Sequence, residues 1–148
     1  MAQKDKDSKD KGIQSIRENA ASPFDVLVID ASGFFHVRNP LILASLASEL
    51  VTTNMVVNEL RDESIAMLDQ LRIKVIDVND EDIKHMQSAS HNTRLSKADL
   101  SILAAIKSVK KGRTGLLSDD VELIRTAKRL FNVEEVVVFL RPTRGERR

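Results

Sequence analysis

The chain contains no cysteine, no tryptophan and no tyrosine, and only five glycines, three prolines and five phenylalanines in 148 residues. Without cysteine there can be no disulfide, no thiolate-bound zinc and no cysteine nucleophile, and the composition accords with a reducing compartment. The shortage of aromatics removes most of the usual stacking platforms for nucleic-acid bases. No apolar run nears the roughly 18 residues that a membrane span needs. Met1 to Lys11 alternates in charge with no apolar segment behind it, unlike a signal peptide. The expectation is a cytoplasmic protein with no membrane partner. Charge of one sign is also lacking: 23 Lys and Arg against 22 Asp and Glu give +1, so the whole-chain field does not announce a nucleic-acid partner.

What is present is enough for one folded domain with one core: 42% hydrophobic and 30% charged residues. Residues 1–22, rich in Lys, Asp, Ser and Gln, offer too little apolar surface to offset the entropy of ordering, and are expected to be a disordered charged tail. The domain is expected over 23–141. A basic C-terminal tail, 142–148, follows, with Arg144, Arg147 and Arg148 after Arg141 and only Glu146 in opposition; it suits phosphate contacts or simple solvation.

The pattern alternates strands and helices. Phe24 to Ile29 is a short, β-branched apolar run, a buried strand by length and content. Pro40 opens a helix expected to reach Glu49, with Leu50 to Thr52 a short second strand. Thr53 or Asn54 caps a helix to Leu60, and Asp62 to Leu71 forms the next. Arg72 to Val78 is a third strand. Asn79 or Asp80 caps a helix to His91, Ser96 one to Lys110, and Gly112 stands where a C-cap glycine belongs. Thr114 to Leu117 is a fourth strand, Asp120 to Phe131 a helix, and Glu135 to Leu140 a fifth strand. This order points to an α/β fold with a mostly parallel sheet, whose ligands bind beyond the carboxyl ends of the strands.

Acids cluster where such a site forms. Strand one ends in Asp30, and strand four in Ser118-Asp119-Asp120. If those strands are neighbours, the carboxylates share one metal-sized cluster, and hard divalent cations prefer oxygen ligands. Each acid also has an ordinary structural role open to it. Asp30 suits an Asx turn, Asp119 or Asp120 a helix cap, Asp99 the third position of a Ser96 capping box, and Glu59 a solvated surface. Yet Asp99 lies among Leu95, Leu100 and Leu103, where a charge is costly unless compensated. Glu59 borders the inward face of Val56 and Leu60.

Four motifs in order, Val28-Ile-Asp30-Ala-Ser32, Val56-Val-Asn-Glu59-Leu60, Leu95-Ser-Lys-Ala-Asp99 and Leu116-Leu-Ser-Asp-Asp120, resemble the acidic pattern of PIN domains. The resemblance spans about Val26 to Asn132. It implies a three-layer fold with a central, mostly parallel five-stranded sheet flanked by helices, and a Mg²⁺- or Mn²⁺-dependent endoribonuclease. By the resemblance, Asp30, Glu59, Asp99 and Asp120 are catalytic and bind metal, with Asp119 as an ambiguous neighbour of Asp120. Val57-Asn-Glu59-Leu-Arg-Asp62 and Ala127-Lys-Arg-Leu130 make the chain most similar to the PIN domain of the archaeal and eukaryotic Nin-one-binding endonucleases, which mature the 3′ end of small-subunit rRNA. Those carry a zinc ribbon that has no counterpart in a chain without cysteine. The VapC-type toxins, which pair with an antitoxin, resemble it in size and acids.

Around these acids, Ser118 and Ser32 are candidate hydroxyls for orienting a ligand or contacting phosphate. Arg38, Arg61, Lys97 and Arg125, with Arg94, are candidate RNA contacts. Phe34 and Phe35 are candidates for stacking on a base, one of them expected in the core. His36, His85 and His91 have no metal-site spacing. The alternatives to a nuclease are a non-catalytic PIN-like module binding RNA or protein, and a phosphoryl receiver. A receiver would need a lysine where Arg141-Pro142 follows the last strand. RNA, including a small-subunit pre-rRNA, is the expected substrate. A homodimer, an antitoxin-like protein and a ribosome-assembly factor are the expected protein partners.

Overall fold

The computed structural model describes residues 23–37 and 39–136. Four strands, β1 (Phe24–Ile29), β2 (Ala47–Thr53), β3 (Lys74–Ile76) and β4 (Thr114–Leu117), are joined at one edge by β5 (Glu134–Val136), in the order β3-β2-β1-β4-β5. Every neighbouring pair is parallel. Central position explains the content of β1: Val26 to Ile29 are fully buried, and a parallel strand covered on both faces reads as a continuous apolar run.

Helices α1 (Ala31–His36), α2 (Leu41–Leu46), α3 (Asn54–Val57), α4 (Asp62–Gln70), α5 (Asp80–Ser90), α6 (Lys97–Val109) and α7 (Val121–Phe131) flank the sheet. α6 packs on β1 and β2 through Ile102, Leu103 and Ile106, all fully buried. Among the described residues no helix is long and apolar enough to cross a membrane.

The chain order creates the site. β1, β2 and β3 are laid down outward on one side, and α5 and α6 then carry the chain back so that β4 pairs with the other side of β1. The junction of β1 and β4 is therefore the switch point, where the connections leave in opposite directions and a crevice opens past the strand ends. Ile29 lies beside Leu117 in the register, so Asp30 and Ser118 leave the sheet together.

Several boundaries differ from the sequence reading. α1 is unforeseen, because Ser32 and Gly33 are poor helix formers and only packing on β1 and β4 selects it. The helix from Pro40 stops at Leu46, since Ala47 already pairs with Phe24 and the strand claims Leu50. α3 ends at Val57. Residues 58–60 continue as a tighter turn, with Glu59 N donating to Val56 O at 2.9 Å and Leu60 N to Val57 O at 3.0 Å. β3 starts late because Arg72 takes a positive φ of 54°, and it ends early because Val78 N donates to the Asn54 side chain. α6 ends at Val109 with Lys110 extended, so Gly112 (φ 52°) turns the loop before β4 rather than capping the helix. β5 covers the start of the strand expected from Glu135 to Leu140; its remainder, 137–140, the two tails and Arg38 lie outside the described residues.

Gly33 lets α1 press onto the sheet: a methyl group there would sit 2.9 Å from Ile29 Cγ2 and 2.9 Å from Leu117 Cγ. Gly33→Ala is expected to destabilise the fold by about 1–3 kcal/mol through overpacking, read as a lower urea midpoint at unchanged slope. An unchanged midpoint would mean that α1 moves freely off the sheet.

Candidate active site at the ends of the central strands

Asp30 is the first residue beyond β1. Its backbone N–H donates to Leu117 O at 3.0 Å, which prolongs the β1–β4 ladder by one step and fixes where the side chain begins. It occupies the N-cap position of α1, yet its carboxylate makes no cap bond. Instead Oδ2 accepts from Ser118 Oγ at 2.9 Å. The same Ser118 oxygen accepts from Asp120 N at 3.0 Å, so one hydroxyl ties the ends of both strands.

Asp120 is the N-cap of α7, its Oδ1 accepting from Leu123 N at 3.2 Å. Asp99 comes from the start of α6. Ser96 Oγ accepts from Asp99 N, and an Asp99 oxygen accepts from Ser96 N, both at 3.1 Å, a complete capping box.

Two of these carboxylates feel the charges of their neighbours. Burial pushes Asp30, only 7% exposed, from the usual 3.8 up to about 6, and the negative charges of Asp99 and Asp120 add to that rise. The Ala31 backbone N–H and the Ser118 hydroxyl oppose it. Asp99 is also raised, by burial first and then by the charge of Asp120, to which it hydrogen-bonds, against the Ser96 bonds that lower it. Among the described residues no lysine, arginine or histidine forms an ion pair with any of the three. Desolvated, mutually repelling oxygens without a counter-charge suit a hard divalent cation. No group of three or more acids or histidines stands ready-made as a metal cage among the described residues. Mg²⁺ does not require one, since it commonly takes one or two carboxylates and completes its shell with water and phosphate.

The other sequence candidates fall elsewhere. Asp119 turns to the surface: its N–H donates to Ser32 Oγ at 3.1 Å, and its carboxylate lies 3.6 Å from His36 Nε2. Glu59 is exposed in the turn after α3, and its charge is not among those acting on Asp30 or Asp99. Arg61 and Arg125 are exposed. Lys97 lies 3.8 Å from Asp80, and Arg94 is engaged with Glu122 at 3.2 Å. Phe34 is in the core and Phe35 is half exposed. The link from His36 to Asp119 was not read from the sequence, because it depends on α1. A hollow of about 330 Å³ between β3, α5 and α6, lined by Asp77, Asp82, His85 and Lys107 among others, contains none of the three carboxylates.

A family model described as the PIN domain of ribonuclease matches residues 27–108, more than half of the chain. The match includes Asp30, Glu59 and Asp99 and stops short of Ser118 to Asp120. No curated protein matches the chain.

A carboxylate whose folded value lies above its unfolded value binds protons more tightly in the native state, so it costs stability as pH rises from 3.8 towards 6. Asp30→Asn is therefore expected to stabilise the metal-free protein above pH 7, by up to about 3 kcal/mol from the size of the shift. The gain should fade as pH drops to 4. Urea unfolding in EDTA across that range checks it, and a gain independent of pH would refute the electrostatic origin.

Proposed function

Because the chain belongs to the PIN-domain ribonuclease family, we propose that it is a divalent-metal-dependent endoribonuclease that works through Asp30, Asp99 and Asp120. PIN domains are in general metal-dependent nucleases, hydrolases acting on RNA. The observation that carries the reading for this chain is the set of three carboxylates at the β1–β4 switch point, with no cation paired to them among the described residues.

Mg²⁺ or Mn²⁺ bound there would supply an activated water at neutral pH and relief of charge on the phosphoryl group. Asp30, Asp99 and Asp120 would hold it. The residues' own contribution is orientation. Ser118 donates to Asp30 Oδ2 and fixes the carboxylate at the strand ends. The Ser96 box fixes the Asp99 rotamer, and the α7 N-terminus fixes Asp120. Burial of Asp30 and Asp99 keeps competing water from screening their charges. Ser32, anchored by the Asp119 N–H, is the hydroxyl at the rim. Glu59 and Asp119 take outer places in this scheme, and RNA contacts are assigned to Arg61, Arg125, Lys97 and Arg38.

The narrower reading is that the RNA is the precursor of small-subunit rRNA, cut at its 3′ end. The motifs around Glu59, Asp99 and Asp120, resembling the Nin-one-binding endonucleases, support it. Wild type, Asp30→Asn, Asp99→Asn, Asp120→Asn and Glu59→Gln incubated with that RNA and with an unrelated one, in Mn²⁺ and in EDTA, test both levels. Cleavage is expected in Mn²⁺ alone and to fall at least about a hundredfold in the three Asp variants, with a smaller loss in Glu59→Gln. Equal cutting of both RNAs would remove the rRNA assignment. No cutting by wild type, and no rise in its melting temperature with Mn²⁺, would refute the nuclease.

A further inference from the structure

The charge of Asp120 disfavours ionisation of Asp99, and the two carboxylates come from the starts of two different helices. Their separation depends on how α6 and α7 are set against each other. One face of α7 addresses this. Glu122, Thr126 and Arg129 are spaced four and three apart, so they line up along the helix. Together they receive the turn between α5 and α6. Asn92 Nδ2 donates to Glu122 Oε1 at 2.9 Å and reaches Thr126 Oγ1 at 3.4 Å. Arg94 Nη1 donates to Glu122 Oε2 at 3.2 Å, and Arg129 donates to Ser90 O at 2.7 Å.

The turn itself is braced. His91 takes a left-handed φ of 55°, Asn92 N donates to Ser90 Oγ, and Asn92 Oδ1 accepts from Arg94 N. Asn92 thus uses both ends of its amide, one on its own turn and one on α7. From Asn92 only Thr93, Arg94 and the buried Leu95 separate this latch from Ser96, whose capping box carries Asp99. On the other helix Glu122 is two residues from Asp120. The latch therefore joins the two carboxylate-bearing helix starts by the shortest path outside the core.

We infer that Glu122 and Asn92 are positioning residues that set Asp99 against Asp120, and through them the affinity of the site for a divalent cation. The inference rests on the reading of that site as a cation site. The sequence reading assigned Arg94 to RNA and left Asn92 and Glu122 unassigned; the latch gives the three a single task that needs no RNA.

The test is a Mn²⁺ titration of the metal-free protein, followed by the loss of the free-ion EPR signal. It compares wild type, Glu122→Ala, Glu122→Gln, Asn92→Ala and the Asn92→Ala/Glu122→Ala double variant. Each single alanine variant is expected to weaken Mn²⁺ binding about 10- to 100-fold, as removal of groups that orient metal ligands does. The double variant should be no weaker than either single, because both break one latch. Glu122→Gln should fall between, since its amide oxygen keeps the Asn92 bond and loses the charge on Arg94. Where RNA is cleaved, saturating Mn²⁺ should restore kcat with KM for RNA unchanged, which a general loss of fold would not allow. Should Glu122→Ala not fold, Glu122→Gln and Asn92→Ala carry the comparison. Wild-type affinity in these variants, or losses that add in the double, overturns the latch and leaves the metal reading standing. Failure of the wild type itself to bind Mn²⁺ overturns both.

Discussion

The Ser118 hydroxyl donates to the Asp30 carboxylate across the junction of β1 and β4, and among the described residues no cation shares that carboxylate. Much of the molecule is arranged around keeping this contact. Asp30 can be buried only because it is one step beyond a fully buried strand, where the ladder bond to Leu117 leaves its backbone no freedom to swing outward. Ser118 can reach it only because β4 is the direct neighbour of β1, and that adjacency requires the long return through α5 and α6. The same return delivers Asp99. A single topological step thus produces both the partner of Asp30 and the charge that destabilises it.

The energetics run against folding at this point and with it elsewhere. An uncompensated buried carboxylate is among the costlier features a small domain can hold. The compensation lies in the apolar layers beneath: Val26 to Ile29, Ile102, Leu103, Ile106, Leu116 and Leu117 are all fully buried, or within 2% of it. Away from the site, charges are treated conventionally. Arg113 pairs with Glu134 at 2.8 Å and lies over the Phe24 ring, at the opposite end of β1, where the group is exposed and the pair adds little. The contrast between this paired amino-end edge and a carboxyl-end edge whose three acids have no partner cation among the described residues marks the carboxyl end as the candidate site.

Much of the fold was legible from local pattern. The β1 and β4 runs, the Asn79 and Ser96 caps and the α7 helix follow from apolar period and capping chemistry, which are local properties. What the pattern hid was decided by packing. α1 carries Ser32, Gly33 and two phenylalanines, a poor helix by propensity, and forms because Gly33 fits against Ile29 and Leu117. The helix expected from Pro40 to Glu49 ran three residues too far, because apolar spacing cannot reveal that Ala47 already pairs with Phe24 in the sheet. At the site, strand-end placement flagged Asp30 and Asp120, whereas Glu59 looked close because its neighbours Val56 and Leu60 are buried. The turn at 58–60 rotates it outward. The latch formed by Asn92, Glu122 and Arg129 was invisible, since it joins residues about 30 to 40 apart through ordinary surface types.

The structural roles of the acids do not compete with the chemical ones proposed for them. Asp99 does close a capping box and Asp120 does cap α7, as their bland readings required. The helix starts that accept these carboxylates favour negative charge there, so the caps hold both side chains in fixed rotamers at no further entropic cost. A pair of oxygens pre-oriented in this way is what a cation that dehydrates reluctantly needs. Asp30 is the exception, because it occupies a cap position and makes no cap bond. Of the three it is the deepest, it is driven up to about 6 mainly by that depth, and its one side-chain partner, Ser118, does not offset the burial. The hydrogen bonds from Ser118 and the Ala31 N–H do not make up for that burial, so Asp30 is held at an energetic loss beside the charges of Asp99 and Asp120, and that loss is the physical argument behind reading the crevice as a ligand site.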